Sequence, residues 1–384
     1  MTSATEKLEL QADRAAGEGR FTESARLLEH VTSAEPTRTV PWTKLAAMRR
    51  AAGDFVGALQ AIDRALALNP LDFSILLARA FVLERIDPPR SGEAFCEALA
   101  QLPPDDCAPG TLASPIAHAR TQCDVYRSTV EERLAASIGG NASLMEQTRI
   151  ARFASNTARR TKTWHQEPTH FQFPGLPEME FHDPAAFAGL AALAAIVDVV
   201  RDEFEALIAA ESSALIPYIQ YSARVPLRQW ERLNHNPDWS ALHLLRNGEQ
   251  IEANARHCPR TLAALAALDQ PDVLGASPNA MFSLLAPRTR IPPHTGVANT
   301  RLVAHLPLIV PPACGFRCGA TTVEWRAGEP FVFDDTIEHE AWNDSDELRV
   351  VMIFDLWPPA LSRRERAAVG RIIPASGIAA NEEL

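Results

Sequence analysis

Cysteine is scarce: six residues in a chain of 384, Cys96, Cys107, Cys123, Cys258, Cys314 and Cys318. They are too few and too scattered for a disulfide framework, so reduced thiols are expected. Cys314 and Cys318 resemble half of a metal cluster, but no second pair with zinc spacing follows. Buried or bystander thiols are the expectation. Apolar runs long enough to cross a membrane are missing too, since none approaches ~18 uninterrupted residues. The first stretch, MTSATEKLELQADRAAGEGR, lacks a basic segment followed by an apolar core, which predicts a cytoplasmic address. Basic patches are absent and the formal net charge is -11, excluding nucleic acid or an anionic membrane as a general partner. No Ser/His/Asp triad, phosphate loop or dinucleotide fingerprint is present.

What the chain does have is length for about two domains of ~150–200 residues each. Its 46% hydrophobic and 22% charged content are those of a folded protein. Gly19, Phe21, Ser24, Leu28, Val31 and Pro36 recur as Gly53, Phe55, Ala58, Ile62, Ala65 and Pro70, each displaced by 34 residues. That is the tetratricopeptide period, and Trp42, Leu45 and Ala46 occupy the first-helix positions of the second copy. Small residues let paired helices approach closely, and the proline stops the second helix. A degenerate third copy spans Ser74 to Pro104, with LLARAFVLERI and EAFCEALAQLPP as its helices. The array, residues 1–107, serves as a groove for a peptide or protein, or else as a support or dimer contact.

The turn formers of DDCAPGTLAS, Asp105 to Ser114, close the array. A helical linker over 108–163 follows, two polar helices broken at Gly139–Gly140–Asn141. From Trp164 to Pro184 prolines and aromatics predict an extended segment along a domain edge. A helix is expected from Pro184 to about Ser213, with Leu190, Leu193, Ile196, Val197 and Val200 on one stripe, and another over Cys258–Leu268 with Pro259 in its first turn. Between them PDWSALHLLRNG reads as a strand ending in an Asn247–Gly248 turn. Strands are predicted at Ala280–Leu285, Arg301–Val310, Thr321–Trp325, Pro330–Phe333 and Leu348–Trp357, and CGFRCG as turn. Short strands without long helices between them favour an antiparallel sandwich or barrel. A last helix over Ser362–Ile373 completes a domain of residues 164–373, and 374–384 is a tail.

Within that domain His294 sits at a strand-edge turn after Pro292–Pro293, and His339 closes the turn DDTIEHE. Two imidazoles brought together by neighbouring strands suit a borderline divalent metal such as iron. Arg349 follows on a strand whose residues 349, 351, 353 and 355 share one face. A guanidinium facing the metal there needs an anion to neutralise it. A dicarboxylate does so with its distal end while its near end chelates the metal.

The motifs Pro293-His294-Thr295-Gly296, Asn299-Thr300-Arg301, His305-Leu306, VEWRAGEPFVFDDTIEHEAWN and Arg349-Val350-Val351 together resemble the aspartyl/asparaginyl β-hydroxylase family of iron(II)/2-oxoglutarate dioxygenases. The similarity is strong over residues 279–358. It reaches back to Phe173-Pro174-Gly175-Leu176-Pro177, which looks like the family's domain-opening motif. The resemblance implies a double-stranded β-helix after the tetratricopeptide-like solenoid, so the fold class is α+β. It makes His294 and His339 the iron ligands and Arg349 the partner of the distal carboxylate of 2-oxoglutarate, and it matches Ser283 and His305 to positions that contact this cosubstrate. His305 is otherwise a satisfied core residue.

Most enzymes of the broader class carry an acidic ligand two residues after the first His. Gly296 stands there, as the family expects, with water in the vacant position. Asp335 either orients such a water or is a turn-forming Asp. Val303 stands where characterised animal hydroxylases carry a second arginine, and Arg301 lies ~6.6 Å earlier along the same strand face as a substitute. The implied reaction uses Fe(II), 2-oxoglutarate and O2 to hydroxylate an unactivated C–H, the β-carbon of Asp or Asn in a peptide or protein. The alternatives are a lipid acyl chain or free amino acid as substrate, or a non-catalytic repeat adaptor with a ligand-binding jelly roll. His243, His257 and Cys258 are read as structural, and Trp239, Trp325, Trp342 and Trp357 as packing residues.

Overall fold

The computed structural model describes residues 3–103, 110–137, 144–210, 215–221 and 229–378. The chain divides into two compact units, Met1–Thr161 and Lys162–Leu384.

The first unit is helical: α1 (Ala4–Gly17), α2 (Phe21–Ala34), α3 (Thr39–Ala51), α4 (Phe55–Leu68), α5 (Phe73–Ile86), α6 (Pro88–Leu99), α7 (Ala113–Ala136) and α8 (Leu144–Thr157). The repeat is visible in its turns. Gly19 and Gly53 both take φ near +80° (77° and 82°), a conformation glycine adopts without a Cβ penalty. Ala12, Ala25, Ala46, Ala58, Ala61 and Ala65 are buried where the helices cross, beside Leu28, Leu45 and Ile62. Helices α2 and α4 end just before Pro36 and Pro70, as the repeat predicts. Two points differ from the sequence expectation. Helix α7 packs Ile116, Ala119 and Cys123 into the core of α5 and α6, so the segment read as a linker is continuous with the repeats. Cys96 and Cys123, read as reduced thiols, form a disulfide between α6 and α7 with their Cα atoms 5.0 Å apart. Spacing did not reveal it because the pair spans a helix-to-helix contact rather than a short motif. Residues 104–109, with Cys107 and the first half of the expected turn, and the Gly139–Asn141 break lie outside the described residues.

In the second unit the strands are β1 (Phe181–His182), β2 (Ile216–Pro217), β3 (Trp239–Arg246), β4 (Glu249–Gln250), β5 (Ala280–Leu285), β6 (Thr289–His294), β7 (Leu302–Ile309), β8 (Cys314–Cys318), β9 (Thr321–Val323), β10 (Phe331–Phe333), β11 (His339–Asn343) and β12 (Arg349–Leu356). They pair antiparallel into a major sheet ordered β1-β10-β7-β12-β5-β3-β2, with β4 on β3, and a minor sheet ordered β6-β11-β8-β9. The expected helix from Pro184 is broken into a 3-10 turn (Pro184–Ala186), α9 (Leu190–Ala194) and α10 (Val197–Ala209). Its expected end near Ser213 lies outside the described residues. Short helices α11 (Glu252–Ala255) and α12 (Pro259–Leu265, opening on Pro259) follow, and α13 (Arg363–Ala375) closes the unit with Ser362 and Glu365 in a capping box. Asn247 (φ 58°) and Gly248 (φ 84°) make the hairpin between β3 and β4, where two left-handed residues match the strand twist.

Alternation along the strands builds two cores. On β12, Val350, Met352, Phe354 and Leu356 face the layer formed by Leu190, Leu193, Val200, Phe204, Leu207 and Leu265. The opposite face of the major sheet meets the minor one through Trp239, Leu285, Val303, Phe333 and Val351 against Ile291, Phe316, Cys318 and Ala341. The CGFRCG segment is strand β8, not turn. Its β-former content is low, but pairing with β11 on one side and β9 on the other supplies its order. Cys314 and Cys318 are free, buried thiols on that strand.

Candidate functional site

The two sheets enclose a cavity of about 290 Å³ lined by residues of both. His294 is the last residue of β6 and His339 the first of β11. The two are register partners, which brings their ring centroids to 4.0 Å. Each ring is oriented by its own chain: Nδ1 lies 2.8 Å from the Pro292 carbonyl in His294 and 3.1 Å from the Ile337 carbonyl in His339. Donation from Nδ1–H fixes the tautomer that leaves the Nε2 lone pair free. Burial pushes His294 down to about 4. It holds His339 well below the ordinary range, with the neighbouring His294 adding to the effect. Both imidazoles are therefore neutral at physiological pH, the form that ligates metals. Among the described residues no group of three or more His, Cys, Asp or Glu side chains converges on one point. The donor set offered to a metal is thus the imidazole pair.

Gly296 and Asp335 account for the missing third donor. A Cβ on Gly296 would fall inside the Asp335 carboxylate, so no larger side chain fits while that carboxylate is present. The Asp335 carbonyl accepts from Gly296 N–H at 2.7 Å, and its carboxylate pairs with Arg301 at 3.1 Å. Burial raises Asp335 to about 7 against the opposing pull of Arg301, and its Oδ1 is buried without a hydrogen-bond partner. An orphaned acceptor beside two imidazoles fits an ordered water or a metal-bound group.

Arg349 is 1% exposed and makes no ion pair among the described residues; its Nε is buried without a partner. Its guanidinium lies 4.4 Å from the Trp325 ring, a cation–π contact that does not cancel the charge. Burial drives it down to about 9. Arg301 is the opposite case. Burial works against its charge, but Asp335 and Asp355, the latter at 3.5 Å, raise it above its ordinary value. The guanidinium expected to substitute for an arginine at Val303 is thus held by two carboxylates, while Val303 lines the cavity as an apolar wall.

Ser283 and His305 also reach the cavity. Ser283 accepts from Trp239 Nε1 at 3.1 Å. His305 stands among Phe316, Phe331 and Phe333 with its Nδ1 unpaired, and burial, then Arg349, hold it neutral. Several lining residues escaped the sequence reading. Trp239, taken for packing, stacks on Tyr218 at 3.9 Å and lies edge-on to His294, as does Trp230 at 4.9 Å. His243, taken as structural, lines the cavity with a buried, unpaired Nδ1. Period-two alternation from Trp239 through Ala241 to His243 was the available signal. His257 lies at a hydrogen bond from Arg256, away from the cavity, and Cys258 is buried against α10.

Before the imidazole pair, the extended segment anticipated from Trp164 bonds to the His294 loop, Thr169 N–H to the Gly296 carbonyl and Phe171 N–H to that of Val297. The Asn299 amide clamps Phe173 from both sides, accepting from its N–H at 2.6 Å and donating to its carbonyl at 2.9 Å.

Residues 195–359 match the family model described as aspartyl/asparaginyl beta-hydroxylase. Over 144 residues the chain is 34% identical to the aspartyl/asparaginyl beta-hydroxylase of Homo sapiens, covering 37% of this chain and 19% of that one. Over 199 residues it is 30% identical to the ornithine lipid ester-linked acyl 2-hydroxylase of Rhizobium tropici, covering 51% of this chain and 66% of that one. The chain thus spans about a fifth of the length of the human relative. Among solved structures, the type III secretion chaperone SycD of Yersinia enterocolitica in complex with a peptide of the translocator YopD matches 32% of this chain and 92% of its own at 10% identity, with a TM-score of 0.29.

Proposed function

We propose, from the premise that this chain belongs by its second unit to the aspartyl/asparaginyl β-hydroxylase family, that it is an iron(II)/2-oxoglutarate-dependent dioxygenase acting on Asp or Asn in a peptide or protein. The observation that carries this reading is Arg349: a fully buried guanidinium with no ion-pair partner among the described residues, opening on the same cavity as two neutral imidazoles. A buried cation of this kind is costly unless a ligand brings the counter-charge. The distal carboxylate of 2-oxoglutarate does so with a bidentate pair.

His294 and His339 would hold the metal, and Gly296 offers it no side-chain donor. Bound there with 2-oxoglutarate and O2, iron(II) supplies the oxidising power that inserts oxygen into an unactivated C–H bond. The chain's own residues bind, orient and exclude. Backbone carbonyls of Pro292 and Ile337 aim the two rings. Asp335 Oδ1, buried without a partner, would accept from a water beside the pair, and the Arg301 bond holds that carboxylate in place. Trp230, Trp239 and Tyr218 wall the His294 side against bulk water. The helical repeats serve as the docking surface for the peptide or protein substrate.

Succinate release from 2-oxoglutarate, measured with iron content on the wild type and on His294→Ala, His339→Ala and Arg349→Ala, tests the reading. Loss in all three is expected, and turnover unchanged in the histidine variants overturns it. Met281, Val303 and Ile353, apolar side chains lining the cavity, favour one second reading, hydroxylation of an acyl chain. A succinate-release screen over Asp- and Asn-containing peptides and over acyl amphiphiles separates the two.

A further inference from the structure

Strand β3 carries Trp239, Ala241 and His243 on its cavity face. Its pairing with β5 then shifts register between His243 and Leu245. Because of that shift Leu244 and Leu245 both pack toward the helix layer, and the next residue, Arg246, lines the cavity with Asn247. A bulge that re-aims one side chain is a common device at the rim of a site. Here the side chain it turns inward is a cation.

Arg246 makes no ion pair or side-chain hydrogen bond among the described residues, although Glu249 is its register partner across the hairpin. Among the described residues, the two carboxylates on the cavity wall, Asp335 and Asp355, are already ion-paired with Arg301. Asp355 accepts from Ser277 at 3.0 Å and from Asn279 N and Nδ2 at 2.8 and 2.9 Å, and shares Arg301 with Asp335. Of the three arginines that line the cavity among the described residues, Arg301 is neutralised, and Arg246 and Arg349 are not. The cavity is thus cationic in a chain of net charge -11. Arg246 and Arg349 are well separated along the strand direction. Trp239 and Arg349 share the register partner Leu285, and Arg246 is seven residues further along β3, roughly 20 Å at ~3.3 Å per residue.

We infer that Arg246 is a specificity-determining residue, binding a carboxylate on an acidic peptide substrate one or two residues from the hydroxylated position. The inference rests on the peptide-hydroxylase reading above. With Arg349 engaged by the cosubstrate, the span left to Arg246 suits two to three residues of extended chain at ~3.3 Å each. The buried, unpaired Nδ1 of His243, on the same face, and the Asn247 and Asn279 amides furnish polar partners beside the guanidinium. An uncharged or basic segment leaves Arg246 without a counter-ion.

The test is equilibrium binding by calorimetry on the full chain, so that the readout does not require hydroxylation. The probes are a short peptide with a central Asp flanked by Glu, its Gln-flanked and Lys-flanked counterparts, and octyl phosphate as an anionic amphiphile. Wild type is expected to bind the Glu peptide roughly tenfold tighter than the Gln peptide, the scale of one charge-assisted hydrogen bond. Arg246→Gln should erase that preference, and Arg246→Glu should turn it toward the Lys peptide. Equal binding of Glu and Gln peptides by the wild type, or a preference that survives in Arg246→Gln, overturns the proposal. So does octyl phosphate binding tighter than the Glu peptide in an Arg246-dependent way. Succinate release is followed in parallel: if it is absent from the wild type while the binding preference tracks Arg246, the reaction fails and the subsite stands.

Discussion

Arg301 and Arg349 pose the same physical problem on one sheet face and receive opposite solutions. Both are buried guanidinium groups on the cavity wall. Arg301, just before β7, lies between Asp335 and Asp355, so its charge is compensated by the fold itself. Arg349, opening β12, lies on the aromatic face of Trp325 and has no ion-pair partner among the described residues. The first arrangement is a structural brace for Asp335. The second is an unmet demand, which the proposed cosubstrate would satisfy. Charge at a site thus has to be read from compensation, since burial alone does not distinguish brace from receptor.

The comparison breaks most visibly in activity. Arg349→Met should lower 2-oxoglutarate turnover at least ~100-fold, on the scale of a lost bidentate charge pair in a dry site. Thermal unfolding of the same variant without cosubstrate should be unchanged or raised, because an uncompensated buried charge is removed. A fall in its stability would mean that the fold does compensate Arg349. Arg301→Met should behave in reverse, costing about 3–5 kcal/mol in denaturant unfolding because two buried carboxylates lose their partner. Adding Asp335→Asn to it should recover part of that loss. Gly296→Ala is expected to cost about 1–3 kcal/mol by driving Asp335 from its place, and less when Asp335 is already Ala, a coupling that a double-mutant cycle measures. The smallest effect expected is that of Trp239→Phe, about 1 kcal/mol, from the hydrogen bond to Ser283. Near-UV circular dichroism reports whether Tyr218 keeps its stacked partner.

Much of this was legible in the residues. The 34-residue period placed α1–α6, because helix pairing needs small residues and stops at fixed intervals. Alternation along β12 placed Arg349 on the cavity face and Val350, Met352 and Phe354 on the other. Strand β8 was not legible, since its glycine and cysteines lack β character and its order comes from neighbours on both sides. The Cys96–Cys123 bridge and the packing of α7 into the repeats also depend on tertiary contact. Arg246 was silent for a similar reason: simple alternation puts it on the helix side of β3, and only the slip in pairing with β5 turns it inward.

From the amino-acid order alone came the repeat, most of the strands and His294, His339 and Arg349 as residues of one interior, because periodicity and side-chain alternation are local properties of a chain. Only the tertiary structure decided which of those charges are already answered. Counter-ions, orphaned acceptors and the slip of one strand against another belong to residues far apart in sequence, and their electrostatic balance exists only once the two sheets close around the cavity.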